Sequence, residues 1–261
     1  MRSTLDPVAL LGGPTRALPG VTLPSGEQVY HLPQWGRAGD IGRVGILRKL
    51  VNGYGRDPRL RAVAAQIVAQ VPARDYRGQA AAIQRFLQQR IRYLNEPGEL
   101  LQAPLYTLRC GHGDCDDMAM LGAALLWSIR LPCRFVLSGK SRSGRVVRWV
   151  EGQRPPRGVK WSHIYLCVRL HPFDPRAPWC SLEPTLQVPL GWDVAQQAAR
   201  AGGAALPELA GAAADEADSG SSLVSDGAEF VSSLPWREIV AATLPLVFST
   251  ILITQYQKRQ R

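Results

Sequence analysis

The residues best placed to do covalent chemistry are Cys115, His163 and Glu183, met in that order along the chain. Cys115 sits in Gly-His-Gly-Asp-Cys-Asp-Asp at 111–117, directly before the run Met118–Arg130. This pattern predicts a Gly-rich turn opening a helix, with Asp114 as N-cap and Asp116 and Asp117 in the first turn. Only a thiolate attacks a carbonyl, and the unpaired amides and dipole of a helix N-terminus lower a thiol pKa. The nearby carboxylates oppose that effect unless they point away. The Cys115 amide, at the helix start, is the expected oxyanion donor. Gly111 and Gly113 are read as permitting positive φ and close approach of a substrate. A buried structural cysteine is the bland alternative, and the polar, Gly-rich setting argues against it.

His163 opens the apolar run His-Ile-Tyr-Leu-Cys-Val-Arg-Leu, which predicts a largely buried strand. His171–Pro178 is turn material, and Trp179–Glu183 returns as a second strand. A hairpin centred near Asp174 sets Glu183 beside His163 and leaves Asp174 roughly 20 Å or more away at ~3.3 Å per residue. Cysteine, histidine and carboxylate then take the parts of nucleophile, base and orienter. His112 is the weaker base candidate, read as a solvated loop histidine. A zinc site built from Cys110, His112, Cys115 and His163 is the rival use of these thiols, but Cys-x-His-x₂-Cys matches no common zinc pattern. No metal and no cofactor are expected.

The stretches Gly113–Asp117, Leu131–Val136, Ser162–Tyr165 and Trp179…Leu182–Thr185 resemble the transglutaminase-like superfamily, with the likeness nearest to small members carried by tailed bacteriophages and prophages. It extends upstream through Arg85-Phe86, Ile91–Tyr93 and Leu101–Pro104, covering about residues 40–192. The resemblance implies an α+β fold with a papain/transglutaminase-like core, in which N-terminal helices and the Cys115 helix pack on an antiparallel sheet carrying His163 and Glu183. It implies thiol chemistry on amides: peptide hydrolysis, amidation or crosslinking of a protein or peptide substrate. Two positions depart from the family pattern. Glu183 replaces the usual Asp, so its bond to the imidazole requires a shifted backbone. Arg130 stands where a helix-ending Gly is common, so the turn into Leu131-Pro132 is expected to be made differently.

The elements that must hold these residues follow from composition and period. Residues 1–39 read as an extended arm, 40–197 as the catalytic domain, 198–235 as a flexible linker, and 236–261 as a separate hydrophobic C-terminal helix with a basic tail. Helices are predicted near 40–53, 57–72 and 77–93, from apolar spacing such as Leu60, Val63, Ala64, Ile67 and Ile83, Phe86, Leu87, Ile91. Tyr93 ends the third helix within reach of the site, although core packing is its simpler role. Glu96–Leu105 is read as a loop.

The five cysteines form no disulfide framework, and no signal peptide is recognised at the start. That places the protein in a reducing bacterial cytoplasm or a virion, with Cys133, Cys167 and Cys180 as core filler. Residues 140–160 hold seven basic side chains against Glu151 alone, read as a solvated β-hairpin excursion at the active-site end that could draw an acidic partner. Nucleic-acid binding is not expected despite the net charge of +10. From Trp236 to Tyr256 the chain could span a bilayer, or pack in an oligomer or virion; oligomeric state is otherwise unspecified. The second class of function is a structural or accessory phage assembly protein that keeps the fold without turnover.

Overall fold

The computed structural model describes residues 20–22, 28–31, 39–94 and 100–200. Three helices stand where the apolar spacing puts them: α1 (Gly39–Tyr54), α2 (Pro58–Ile67) and α3 (Tyr76–Arg90). Asp57 and Asp75 start α2 and α3 by accepting the amides of Arg59 and Gly78. Both helices end before their predicted limits. Beyond α3 the chain turns extended, because Arg92–Tyr93 (β3) pairs in parallel with His112–Gly113 (β5). A short helix, α4 (Pro104–Cys110), begins at the end of the stretch expected as loop. Pro104 suits its first turn, where a missing amide costs nothing. Two turns are too few to show a helical period in sequence.

The run after the cysteine forms α5 (Cys115–Ser128). Its side chains from Asp117 to Leu126 are all buried, a pattern that only a helix enclosed on every side can satisfy. Helices α1 to α4 surround it, and strands β6 (Cys133–Ser141) and β8 (Val159–Arg169) close the remaining side.

The sheet runs β7 (Val146–Val150), β6, β8, β9 (Trp179–Leu182), antiparallel throughout. Along β8, Val159 and Trp161 join the main core, and so do Ile164, Leu166 and Val168. The alternation skips a step because Ser138 pairs with His163 while Gly139 pairs with Trp161, leaving Ser162 as an extra residue. His163 is thereby placed on the face of Tyr165 and Cys167, which pack with Val136 and Val150 in a second, smaller cluster. Gly139 is required at this bulge, since a Cβ there would come within 2.7 Å of the Trp161 Cα. The short helix α6 (Val194–Arg200) lies by β7, and its N-cap region is tied to the second cluster. The Asp193 Oδ2 accepts from Tyr165 (3.0 Å), from Ser181 (2.6 Å) and from Arg148 Nε (3.0 Å).

A further sheet joins β1 (Gly20–Thr22), β2 (Gln28–His31) and β4 (Leu100–Gln102), so two segments of the expected arm pair with one another and with the domain. Residues 198–200 continue α6; the rest of the expected linker and the segment 236–261 lie outside the described residues. No helix among the described residues is long and apolar enough to cross a membrane. The architecture is the α+β arrangement the resemblance implies: helices, the cysteine helix among them, against one curled antiparallel sheet.

The exit from α5 corrects an expectation. Arg130 takes the left-handed conformation itself, at φ 66°. The Leu131 amide bonds Leu126 O at 3.0 Å and the Arg130 amide bonds Trp127 O at 3.0 Å, the paired closure that ordinarily uses glycine. The turn is therefore made in the usual way, with a residue that carries a Cβ penalty of about 1–2 kcal/mol. We predict that Arg130→Gly raises unfolding stability by about 1 kcal/mol, read as a higher urea midpoint at unchanged slope.

Candidate active site

Asp114 starts α5 as the sequence predicts. Its carboxylate accepts the amides of Asp116 (3.1 Å) and Asp117 (3.3 Å), and Asp117 answers by accepting the Asp114 amide. Asp117 is fully buried and also takes the Gln102 amide at 2.7 Å, fastening β4 to the cysteine turn. The Cys115 amide is left uncommitted at the head of the helix, with no partner among the described hydrogen bonds.

The glycines on either side of His112 act differently from the sequence reading. Gly111 does adopt positive φ (70°), but it serves to end α4. Gly113 does not; a Cβ there would lie 2.7 Å from the Asp117 Cβ and 3.2 Å from the Thr107 Cγ2. Its missing side chain makes room for the helix start, not for a substrate. His112 is no solvated loop residue. It lies half-buried in β5, its Nδ1 enclosed without a partner. Cys110 turns its thiol toward Gln102 and the carbonyls of Thr107 and His112.

The histidine and the carboxylate meet as the hairpin predicts. The β8–β9 register pairs Leu166 with Leu182, so Glu183 follows β9 on the side of Tyr165 and His163. His163 Nε2 and Glu183 Oε2 are 2.8 Å apart, with both side chains buried. The other carboxylate oxygen, Oε1, accepts from the Thr185 amide (2.9 Å) and the Thr185 hydroxyl (2.7 Å). These bonds fix the longer glutamate arm, which answers how Glu can stand where Asp is usual. The imidazole also stacks on Tyr165, centroids 5.8 Å apart and planes 16° from parallel. With Nε2 committed to Glu183, Nδ1 is the nitrogen left for proton transfer.

Cys115 lies near this pair: the backbone amide of Ile164, one residue past His163, is close enough to favour its thiolate. Its electrostatics run with the nearby carboxylates and against the helix terminus. Burial pushes the thiol pKa well above its ordinary value, the charges of Asp114 and Asp116 and then of Glu183 push it the same way, and only the Ile164 amide opposes. Tyr93 lies within electrostatic reach of Cys115. Burial first, then Cys115, Asp114 and Asp116, raise its phenol pKa and keep the hydroxyl a donor. Asp116 is likewise held well above the usual carboxylate range, by burial and then by its hydrogen bond to Asp114 and the charges of Asp114 and Asp117.

Sequence reasoning missed the glutamines of α3. Gln88 Nε2 donates to the carbonyls of Glu183 (2.9 Å), Leu186 and Val188 (3.0 Å), and Gln84 Nε2 donates to Val188 O (2.6 Å). They hold the loop that presents Glu183. Their only sequence signal is a pair of amides four apart on one helix face, which reads as ordinary solvation.

Residues 61–184 match the family model of the transglutaminase-like superfamily. That stretch runs from α2 through the Glu183 loop. Two solved structures are similar to the chain. One is a candidate protease from Parabacteroides distasonis (9% identity, TM-score 0.41), for which the match covers 57% of this chain and 26% of the other. The second is a candidate cysteine protease from Cytophaga hutchinsonii (15% identity, TM-score 0.36), with 62% of this chain and 50% of the other covered. The chain thus spans at most half the length of these two proteins. No curated protein matches it.

Two predictions follow from the geometry. Iodoacetamide should label Cys115 more slowly than a free thiol near neutral pH, with the rate rising only above the ~8.5 of free cysteine; mass spectrometry against Cys115→Ala checks this, and a labelling pKa below that value would overturn it. Gln88→Leu should cost about 1–3 kcal/mol in urea unfolding, since the carbonyl of buried Glu183 loses its side-chain donor and those of Leu186 and Val188 each lose one of two.

Proposed function

We propose that the protein is a cysteine-dependent acyl-transfer enzyme acting on amide bonds, with hydrolysis of a protein or peptide substrate as its main reaction. The observation that carries this reading is the buried His163–Glu183 pair at 2.8 Å, with Cys115 electrostatically coupled to Glu183 and to the Ile164 amide beside His163. Because the thiol is held protonated, His163 removes its proton as the sulfur attacks, instead of waiting beside a stored thiolate. The Cys115 amide donates to the oxygen that becomes negative, and Glu183 steadies the imidazolium. Collapse of the tetrahedral adduct passes that proton to the leaving amine. Water, deprotonated by His163, then releases the acid and restores the thiol; an amine in its place gives transamidation.

The raised thiol pKa is also the observation favouring a second reading, a structural or accessory phage protein that retains the fold without turnover. Substitution separates the two. On a pool of denatured proteins, Cys115→Ala should abolish new peptide termini, and His163→Ala should slow their formation about 10²–10⁴-fold. Glu183→Gln should slow it less, with the melting transition little changed. Equal cleavage by wild type and Cys115→Ala would sink the enzymatic reading.

A further inference from the structure

The bulge that puts His163 on one face of the sheet also decides what lies next to it. Before Ser162 the even-numbered residues of β8 share that face, and after it the odd-numbered ones do, as Val159 and Trp161 in the core against Tyr165 and Cys167 in the second cluster show. Lys160 is therefore on the face of His163, about 10 Å along the strand at ~3.3 Å per residue. Its register partner on β6 is Lys140, and both side chains are exposed. The turns beyond carry Arg142, Arg145 and Arg157, also exposed.

None of these five cations has a carboxylate partner among the described residues. Glu151, the single acid in the region, is taken by Arg48 (2.8 and 2.7 Å) and by the Phe135 amide (3.1 Å). Arg148 is likewise committed, to Asp193. The uncompensated charge thus lies at one end of the sheet, next to the histidine.

We propose that this basic end is a specificity surface for an acidic peptide segment of the substrate, lying about three residues from the reacting amide. The inference deepens the proposed function and rests on it for the word substrate. A peptide suits the surface better than a nucleic acid because Trp149 and Trp161, the aromatics within the basic stretch, are buried in the core (4% and 9% exposed) and offer bases no stacking platform. Phosphate binding by the cations alone would be sequence-independent and would favour polynucleotides.

The test uses the full chain with Cys115→Ala and follows fluorescence anisotropy of three probes: a Glu-rich peptide, its Gln counterpart and a single-stranded oligonucleotide. The Glu peptide should bind more tightly than the Gln peptide, lose affinity with salt, and weaken about tenfold or more in Lys140→Glu/Lys160→Glu. In the otherwise native enzyme the same pair of substitutions should leave iodoacetamide labelling of Cys115 unchanged. It should also remove an enrichment of Asp and Glu near the cleavage points of a mixed peptide pool. Equal binding of Glu and Gln peptides, no loss in the double variant, or tighter binding of the oligonucleotide through the same lysines would each overturn the proposal. If wild type cleaves nothing beyond the Cys115→Ala control, the enzymatic reading fails, and the anisotropy result alone decides whether the surface takes acidic peptides.

Discussion

Complete enclosure of α5 is the constraint from which the rest of the molecule follows. A helix buried on all sides has one end at which polar chemistry can be done, and here that end carries the cysteine, its free amide and three carboxylates. Burying about ten apolar or small residues along it supplies much of the core, at ~25 cal/mol per Å² of apolar surface removed from water. The same burial removes solvent from the thiol. Packing stability and a suppressed thiolate therefore have one cause, and relieving the second by opening the helix end would weaken the first.

The sheet answers this constraint from the other side. One extra residue, Ser162, lets β8 keep its core alternation while changing the face on which its odd-numbered side chains stand. Without it, His163 would point among the helices and Trp161 and Ile164 could not both join the main core. Tyr165, Asp193 and Ser181 then form a hydrogen-bonded floor beneath the imidazole, and Gln84 and Gln88 bind the loop that brings Glu183 to it. Several separate elements, α3, β8, β9 and the start of α6, are thus mechanically joined at a single ring.

Much of this was legible in the sequence because it depends on local rules. The Asp114 cap, the apolar run after Cys115 and the alternation from His163 to Leu170 each announce an element, and the turn near Asp174 brings Glu183 alongside His163. What stayed hidden depends on tertiary context. The two-turn helix at Pro104 is too short to show a period. The bulge at Ser162 leaves no mark in an apolar strand, since both faces are buried. Gly113 looks like a residue freed for substrate until Asp117 and Thr107 are seen packed against it. Arg130 shows the converse: a motif can keep its geometry after losing its characteristic residue, when the surrounding helix ends dictate the backbone.

The environment that keeps Cys115 protonated has a consequence for endurance. Peroxide, like other electrophiles, reacts with thiolate, and the path from sulfenic to sulfinic and sulfonic acid begins only after that first step. Under the proposed function, a nucleophile that ionises only while a substrate occupies the site spends its idle time in the form least open to oxidation. The partial burial of this free thiol thus also serves, in that reading, as a preservative.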